Sequence, residues 1–219
     1  LDNALVVVFT VSVFATAALW FGARALMSVL SSHETVIDYA VSFIRIFVSA
    51  LWASGLLSTM RGFFSGIGKT RIFLFTSSLM MITNIFFNYV FIFGKFGFPA
   101  LGVRGSALGS VTAYIITFGF MMFYILGGAG INYRKDFSLF RLRNIDRMLL
   151  NDIVRLASPN AFRGIMVMGG LSVFYAMVDK IDVIQVAIVN VVLNIQSVSF
   201  MPGYGFGVAA ATLIGQNLG

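Results

Sequence analysis

An all-α, polytopic bundle of six membrane-spanning helices is the fold this sequence predicts, and three observations carry the prediction. The 219 residues are 59% hydrophobic and 11% charged, with 24 Phe, a balance far from that of a domain that folds in water. Six apolar segments approach the ~20 residues a helix needs to cross a hydrocarbon core, at roughly 4–30, 38–60, 72–94, 105–130, 153–178 and 183–213. Residues 72–94 and 105–133 contain no charge and no alternation of polar with apolar positions, which speaks against the ~10-residue strands of a transmembrane barrel.

The charges are distributed as a membrane protein requires. Fifteen Lys and Arg stand against eight Asp and Glu, but the cations sit between apolar runs rather than on one folded face, so a nucleic-acid partner is not expected. The second and fourth loops hold nine of them and the first, third and fifth loops four, which by the positive-inside rule places both chain ends in the cytoplasm. The chain carries no cysteine, so disulfides and thiolate metal sites are excluded. It begins at Leu1 without a signal-peptide pattern and stops at Gly219 in an uncharged stretch, and it reads as a piece of a longer protein. His33, the lone histidine, falls beside Glu34 in the first outer loop and reads as a solvated residue with no proton-sensing role.

The fourth loop divides the chain. Residues 132–155 mix six cations with apolar side chains such as Phe137, Phe140, Ile145 and Leu149, a pattern suited to a helix lying at the lipid headgroups. Linking two groups of helices is its simplest role.

Inside the spans, polar side chains need partners or water because lipid supplies neither. In the third span Asn84 and Asn88 stand four apart, on one helical face directed at a neighbouring helix or a cavity. The same geometry suits a tie between helices, so spacing alone leaves both roles open. Ser106 and Ser110 repeat it at the start of the fourth span. In the sixth span Asn190, Asn194 and Ser197 form a polar stripe of cavity-lining type. Pro202, Gly203 and Gly205 follow, with Gly207, and predict a bend or break in that helix within residues 201–207. Pro159 and Asn160 open the fifth span, with Arg163 one turn later and able to snorkel to the cytoplasmic surface. Arg45 has the same reading at the outer end of the second span.

Enzyme chemistry finds no foothold, since no nucleophilic triad, HExxH or paired acids occur within the spans. The run Gly66-Ile67-Gly68-Lys69-Thr70 looks superficially like a phosphate loop, but Phe63 stands where that motif needs its first glycine and no strand leads into it.

Several stretches in order then resemble one family. Arg61-Gly62 leads to Gly66-Ile67-Gly68-Lys69-Thr70. Asn84-Ile85-Phe86-Phe87-Asn88-Tyr89 runs on to Phe93-Gly94, then Gly97-Phe98-Pro99-Ala100-Leu101-Gly102-Val103 and Gly105-Ser106-Ala107-Leu108-Gly109-Ser110. Met201-Pro202 follows, and Gly215-Gln216-Asn217-Leu218-Gly219 ends the chain. Together, over most of residues 61–219, these resemble the multidrug and toxic compound extrusion (MATE) family of cation-coupled efflux antiporters.

That resemblance implies the third to eighth helices of a two-lobe, twelve-helix transporter. Residues 1–130 would be the last four helices of the amino-terminal lobe, 131–152 the basic cytoplasmic linker and 153–219 the first two helices of the carboxy-terminal lobe. It implies that Asn84, Asn88 and Ser110 line a cation-binding pocket, with an acid on a first helix outside this chain supplying the charge. Asn88 stands where the family often has Asp, and no Glu stands near Val167, so the coupling ion stays open between H+ and Na+. No cofactor and no bound metal beyond Na+ is implied. The implied partners are a small organic substrate, membrane lipids and the remaining helices of the same protein, and the implied location is the bacterial cytoplasmic membrane. The implied activity is secondary active export of amphipathic, often cationic, compounds by alternating access. A lipid or oligosaccharide-lipid flippase of the related superfamily is the alternative, for which Arg163 is one point. A structural membrane protein is the second, and it has no need of a proline and glycines beside a polar stripe.

Overall fold

The computed structural model describes residues 1–31, 33–127, 132, 145–181 and 183–218, without the side chains of a few residues of the last helix. The described residues form seven α-helices: α1 (Asp2–Leu30), α2 (Glu34–Val48), α3 (Leu51–Gly66), α4 (Thr70–Phe93), α5 (Val103–Gly127), α6 (Arg147–Asp179) and α7 (Val183–Leu218). Five of these are long and apolar enough to cross a membrane, and α2 with α3, bent by 50° to each other, together have the length and composition of a sixth. The protein is therefore an all-α polytopic bundle. Residues 133–144, most of the expected headgroup helix and linker, lie outside the described residues. The fifth span starts at Arg147 rather than 153 because Asp146 caps it, its Oδ1 accepting from the Met148 backbone N–H at 2.8 Å.

The bend between α2 and α3 has no proline or glycine behind it. Ser49 and Ala50 N–H groups donate three residues back, to Ile46 and Phe47 carbonyls at 3.2 and 3.1 Å. The Ser49 hydroxyl also donates to the Ile46 carbonyl, at 2.6 Å. This tightened turn and side-chain back-bonding tilt the axis. The Val48 carbonyl at the bend accepts from the Thr16 hydroxyl of α1 at 3.0 Å. A backbone group left over in an apolar setting is thereby satisfied by a neighbouring helix. The bend also carries Arg61 into α3, correcting its expected place in the second loop.

The first five helices pack as one unit. Leu57, Met60 and Phe64 of α3 bury against Met121 and Ile125 of α5, with Leu1 and Leu5 at the edge. At the opposite end Ala23, Ile37 and Val41 join α1 to α2. The most extensive helix pair is α4 with α5. Their connection turns back sharply, with Gly94 at φ +65° beside the Ala100 backbone, a conformation that favours glycine.

α6 runs beside α1 and is tied to it at both ends. The Asp146 N–H donates to Asn3 Oδ1 at 2.9 Å, and the Ser31 hydroxyl donates to Asp179 Oδ2 at 3.0 Å. Between those ties, residues 154–170 are exposed. α7 returns along α6 and is mostly exposed among its described residues. The expected break at Pro202, Gly203 and Gly205 is absent, since α7 continues through them to Leu218 with Pro202 inside the helix. A proline leaves one carbonyl without its donor but need not end a helix whose other bonds persist.

Candidate functional site in the α4–α5 hairpin

Small residues on α5 bring the two backbones of this hairpin together. A Cβ added to Gly109 would collide with the Asn88 side-chain oxygen and come within 2.9 Å of the Asn88 nitrogen. One added to Gly105 would strike the Phe91 carbonyl and Ile92 nitrogen. Ala107 and Ala113 are fully buried between them. Close approach of this kind is how membrane helices gain packing when lipid is as apolar as their side chains.

The closeness makes a connected polar chain. Asn88 Nδ2 donates to Asn84 Oδ1 at 3.0 Å, and Asn84 Nδ2 donates to Ser110 Oγ at 3.0 Å. The three sequence-predicted pocket residues thus meet on two adjacent helices. Asn88 Oδ1 is buried beside Gly109 and has no hydrogen-bond partner among the described residues, which is costly for an amide oxygen unless water or an ion reaches it.

A cavity of about 290 Å³ opens on Asn84 and Ser110 and is lined further by Arg61, Ser77 and Tyr114, with Phe47, Met80 and Met81 as its apolar wall. Arg61 reaches it from α3. Its Nε donates to the Thr76 hydroxyl at 3.1 Å and its Nη2 to the Thr76 carbonyl at 2.8 Å. Thr76 itself is fully buried. Sequence reasoning missed Arg61 as a site residue because it counted the charge as a loop cation. One signal was available: Thr76, Met80, Asn84 and Asn88 follow at four-residue steps, so the polar face of α4 extends back to the turn that an arginine of α3 can reach.

The chemistry of this chain is that of neutral oxygens. Asn84, Asn88 and Ser110 can hold a water or a weakly bound monovalent cation, but none supplies charge. Among the described residues no group of three or more His, Asp or Glu could hold a metal ion. Asn190, Asn194 and Ser197 stand elsewhere, exposed along α7. Asn190 Oδ1 accepts from the Tyr175 hydroxyl of α6 at 2.9 Å, while the Ser197 hydroxyl donates to the Asn194 carbonyl at 2.8 Å.

Residues 1–90 match the family model described as MatE. Over 177 residues the chain is 27% identical to a probable multidrug resistance protein NorM of Thermotoga maritima, covering 81% of this chain and 37% of that protein. It is 27% identical over 201 residues to a probable NorM of Agrobacterium fabrum, covering 90% and 42%. It is 27% identical over 217 residues to the multidrug resistance protein MdtK of Yersinia enterocolitica, covering 96% and 46%. The chain therefore spans less than half the length of these relatives. The matched model and the aligned relatives agree: the chain is similar to the MatE family over residues 1–90 and to multidrug resistance proteins over most of its length.

Proposed function

We propose that the intact protein exports amphipathic, often cationic, organic compounds across the bacterial cytoplasmic membrane in exchange for H+ or Na+, by alternating access of two lobes. Residues 1–130 belong to the amino-terminal lobe and 153–219 to the carboxy-terminal lobe, with 131–152 as the linker. The relatives' description as multidrug resistance proteins supports the export reading.

The observation that carries the coupling reading is the buried Asn88 oxygen, unpartnered at the end of the Asn88–Asn84–Ser110 chain. An interhelical tie would use all of its polar atoms, whereas an ion or its water would use the one left over. An acid from a helix outside this chain supplies most of the affinity, and these amides and the hydroxyl set geometry and hydration.

The test uses the full-length protein in proteoliposomes with an imposed cation gradient. Asn84→Ala lowers gradient-driven export of an organic cation such as ethidium by about tenfold, a ~1.4 kcal/mol effect, while membrane expression stays near the parent level. Unchanged transport with unchanged gradient dependence would return the amide pair to a tie between helices.

A further inference from the structure

We infer that the cavity between α3, α4 and α5 binds an oxyanion, a carboxylate or phosphate carried on a partly apolar molecule, with Arg61 as its charged anchor. The lining has one sign. It presents a guanidinium and the hydroxyls of Ser77, Ser110 and Tyr114, and no carboxylate. Among the described residues the ion pairs are those of Arg24, and none reaches Arg61. An arginine held in a half-buried, apolar setting without a counter-charge is expensive unless an anion or water completes it.

The guanidinium is set in place beforehand. Thr76 fixes Nε and Nη2, and the Phe73 ring lies 5.9 Å from the guanidinium carbon. Nη1 meets only the Met80 sulfur, at 4.0 Å, a weak acceptor. Stapling α3 to α4 accounts for Nε and Nη2. It leaves the donors of Nη1 unspent in a residue that lines an open cavity. The hydroxyls of Ser77 and Tyr114 likewise form no hydrogen bond among the described residues.

Arg61, Ser77, Ser110 and Tyr114 can all donate, which matches the several lone pairs of an oxyanion. Phe47, Met80 and Met81 accept the apolar part. At roughly 30 Å³ per water-sized group, the cavity holds an anionic head with a ring or short chain. An organic cation would meet the guanidinium and be repelled, so this cavity selects the opposite charge from the exported compounds proposed above. It does not depend on the exchange reading.

Two sources carry this chemistry, a free organic acid and the headgroup of a net-anionic phospholipid. The test uses full-length protein in phosphatidylcholine nanodiscs, titrated calorimetrically with benzoate and with neutral benzamide. Benzoate binds saturably, benzamide at least about tenfold more weakly, and Arg61→Gln weakens benzoate by about tenfold or more. Tyr114→Phe and Ser77→Ala each weaken it about threefold. These two leave the Thr76 staple intact, so the test survives if Arg61→Gln fails to fold.

Replacing phosphatidylcholine by phosphatidylglycerol separates the sources. Competition with benzoate identifies the anionic lipid headgroup as the natural occupant, and undiminished benzoate binding identifies a free acid. Absence of saturable benzoate binding in phosphatidylcholine overturns the site, as does equal binding by the parent and all three variants. Anion binding unchanged in all three variants, with export lowered in Asn84→Ala, overturns the anion site alone; export unchanged in Asn84→Ala, with anion binding lost in Arg61→Gln, overturns the exchange reading alone.

Discussion

The α4–α5 and α6–α7 hairpins are built from similar sequence and behave as different structures. Each has long apolar helices, interior glycines and asparagines four residues apart. In the first half of α5 two glycines are filled positions, because a Cβ on Gly105 or Gly109 would strike α4. In α6 and α7 the corresponding space is open, and nothing lies within 4 Å of a Cβ added to Gly164, Gly169, Gly170, Gly203, Gly205 or Gly207. The amides differ in setting, since Asn84 and Asn88 sit in a half-buried chain that crosses to α5, while Asn190 crosses to Tyr175 from an exposed position and the Asn194 backbone carbonyl accepts from Ser197. A glycine or asparagine in a membrane helix therefore carries no fixed meaning. What the opposing helix does with the space decides it.

The largest effect expected from that difference is at Gly109. Alanine in a helix interior gains up to about 1 kcal/mol over glycine from backbone entropy, and at Gly203 nothing among the described residues opposes the gain. At Gly109 the added methyl must displace Asn88 and part the hairpin, at an overpacking cost of about 1–3 kcal/mol. Thermal unfolding of the full-length protein in detergent should show Gly109→Ala clearly below the parent and Gly203→Ala at or above it. Equal damage from both would mean that a surface outside this chain meets Gly203, sharpening the contrast into one between partners within and beyond these residues.

A smaller effect is expected at Ser110. Removing its hydroxyl leaves Asn84 Nδ2 without its acceptor in a half-buried site, at a cost of about 1–2 kcal/mol. Ser110→Ala should lower the unfolding midpoint measurably and Ser110→Thr should restore it. If alanine is neutral there, water already serves Asn84, and the α4–α5 chain is wetter than its packing suggests.

The parts of this architecture that could be read from sequence are those written in local chemistry. Long uncharged runs such as 72–94 set the helices, and the four-residue step from Asn84 to Asn88 sets a shared face. Less legible were features that arise only when helices meet. Nothing at residues 48–50 announces a bend, because its support is the Thr16 hydroxyl on another helix accepting the role of donor to Val48. Arg61 read as a loop cation because its partner Thr76 becomes its neighbour only after α3 and α4 fold together. Pro202 invited the opposite error. Its missing donor is a local fact, but α7 is long enough to keep its remaining bonds and pass through. The union of Asn84 with Ser110 came from family resemblance rather than spacing, since residues 26 apart have no periodic relation.

The smallest expected effect lies in the bond that most resembles the Asn84–Ser110 pair. The Tyr175 hydroxyl donates to Asn190 Oδ1 at 2.9 Å, joining α6 to α7 as Asn84 joins α4 to α5 at 3.0 Å. Length does not distinguish the two bonds, but surroundings do. Asn190 is exposed, and its Nδ2 already donates to the Val186 carbonyl within its own helix. Where solvent or a headgroup can replace a lost donor, the net worth of a neutral hydrogen bond falls to about 0.5 kcal/mol or less. Phenylalanine also keeps the ring and its packing, so Tyr175→Phe should move the unfolding midpoint of the full-length protein by no more than about a third of the Ser110→Ala shift. A Tyr175→Phe loss as large as that of Ser110→Ala would show that helices beyond this chain bury the α6–α7 pair, and the asymmetry between the hairpins would then belong to these residues alone rather than to the full-length protein.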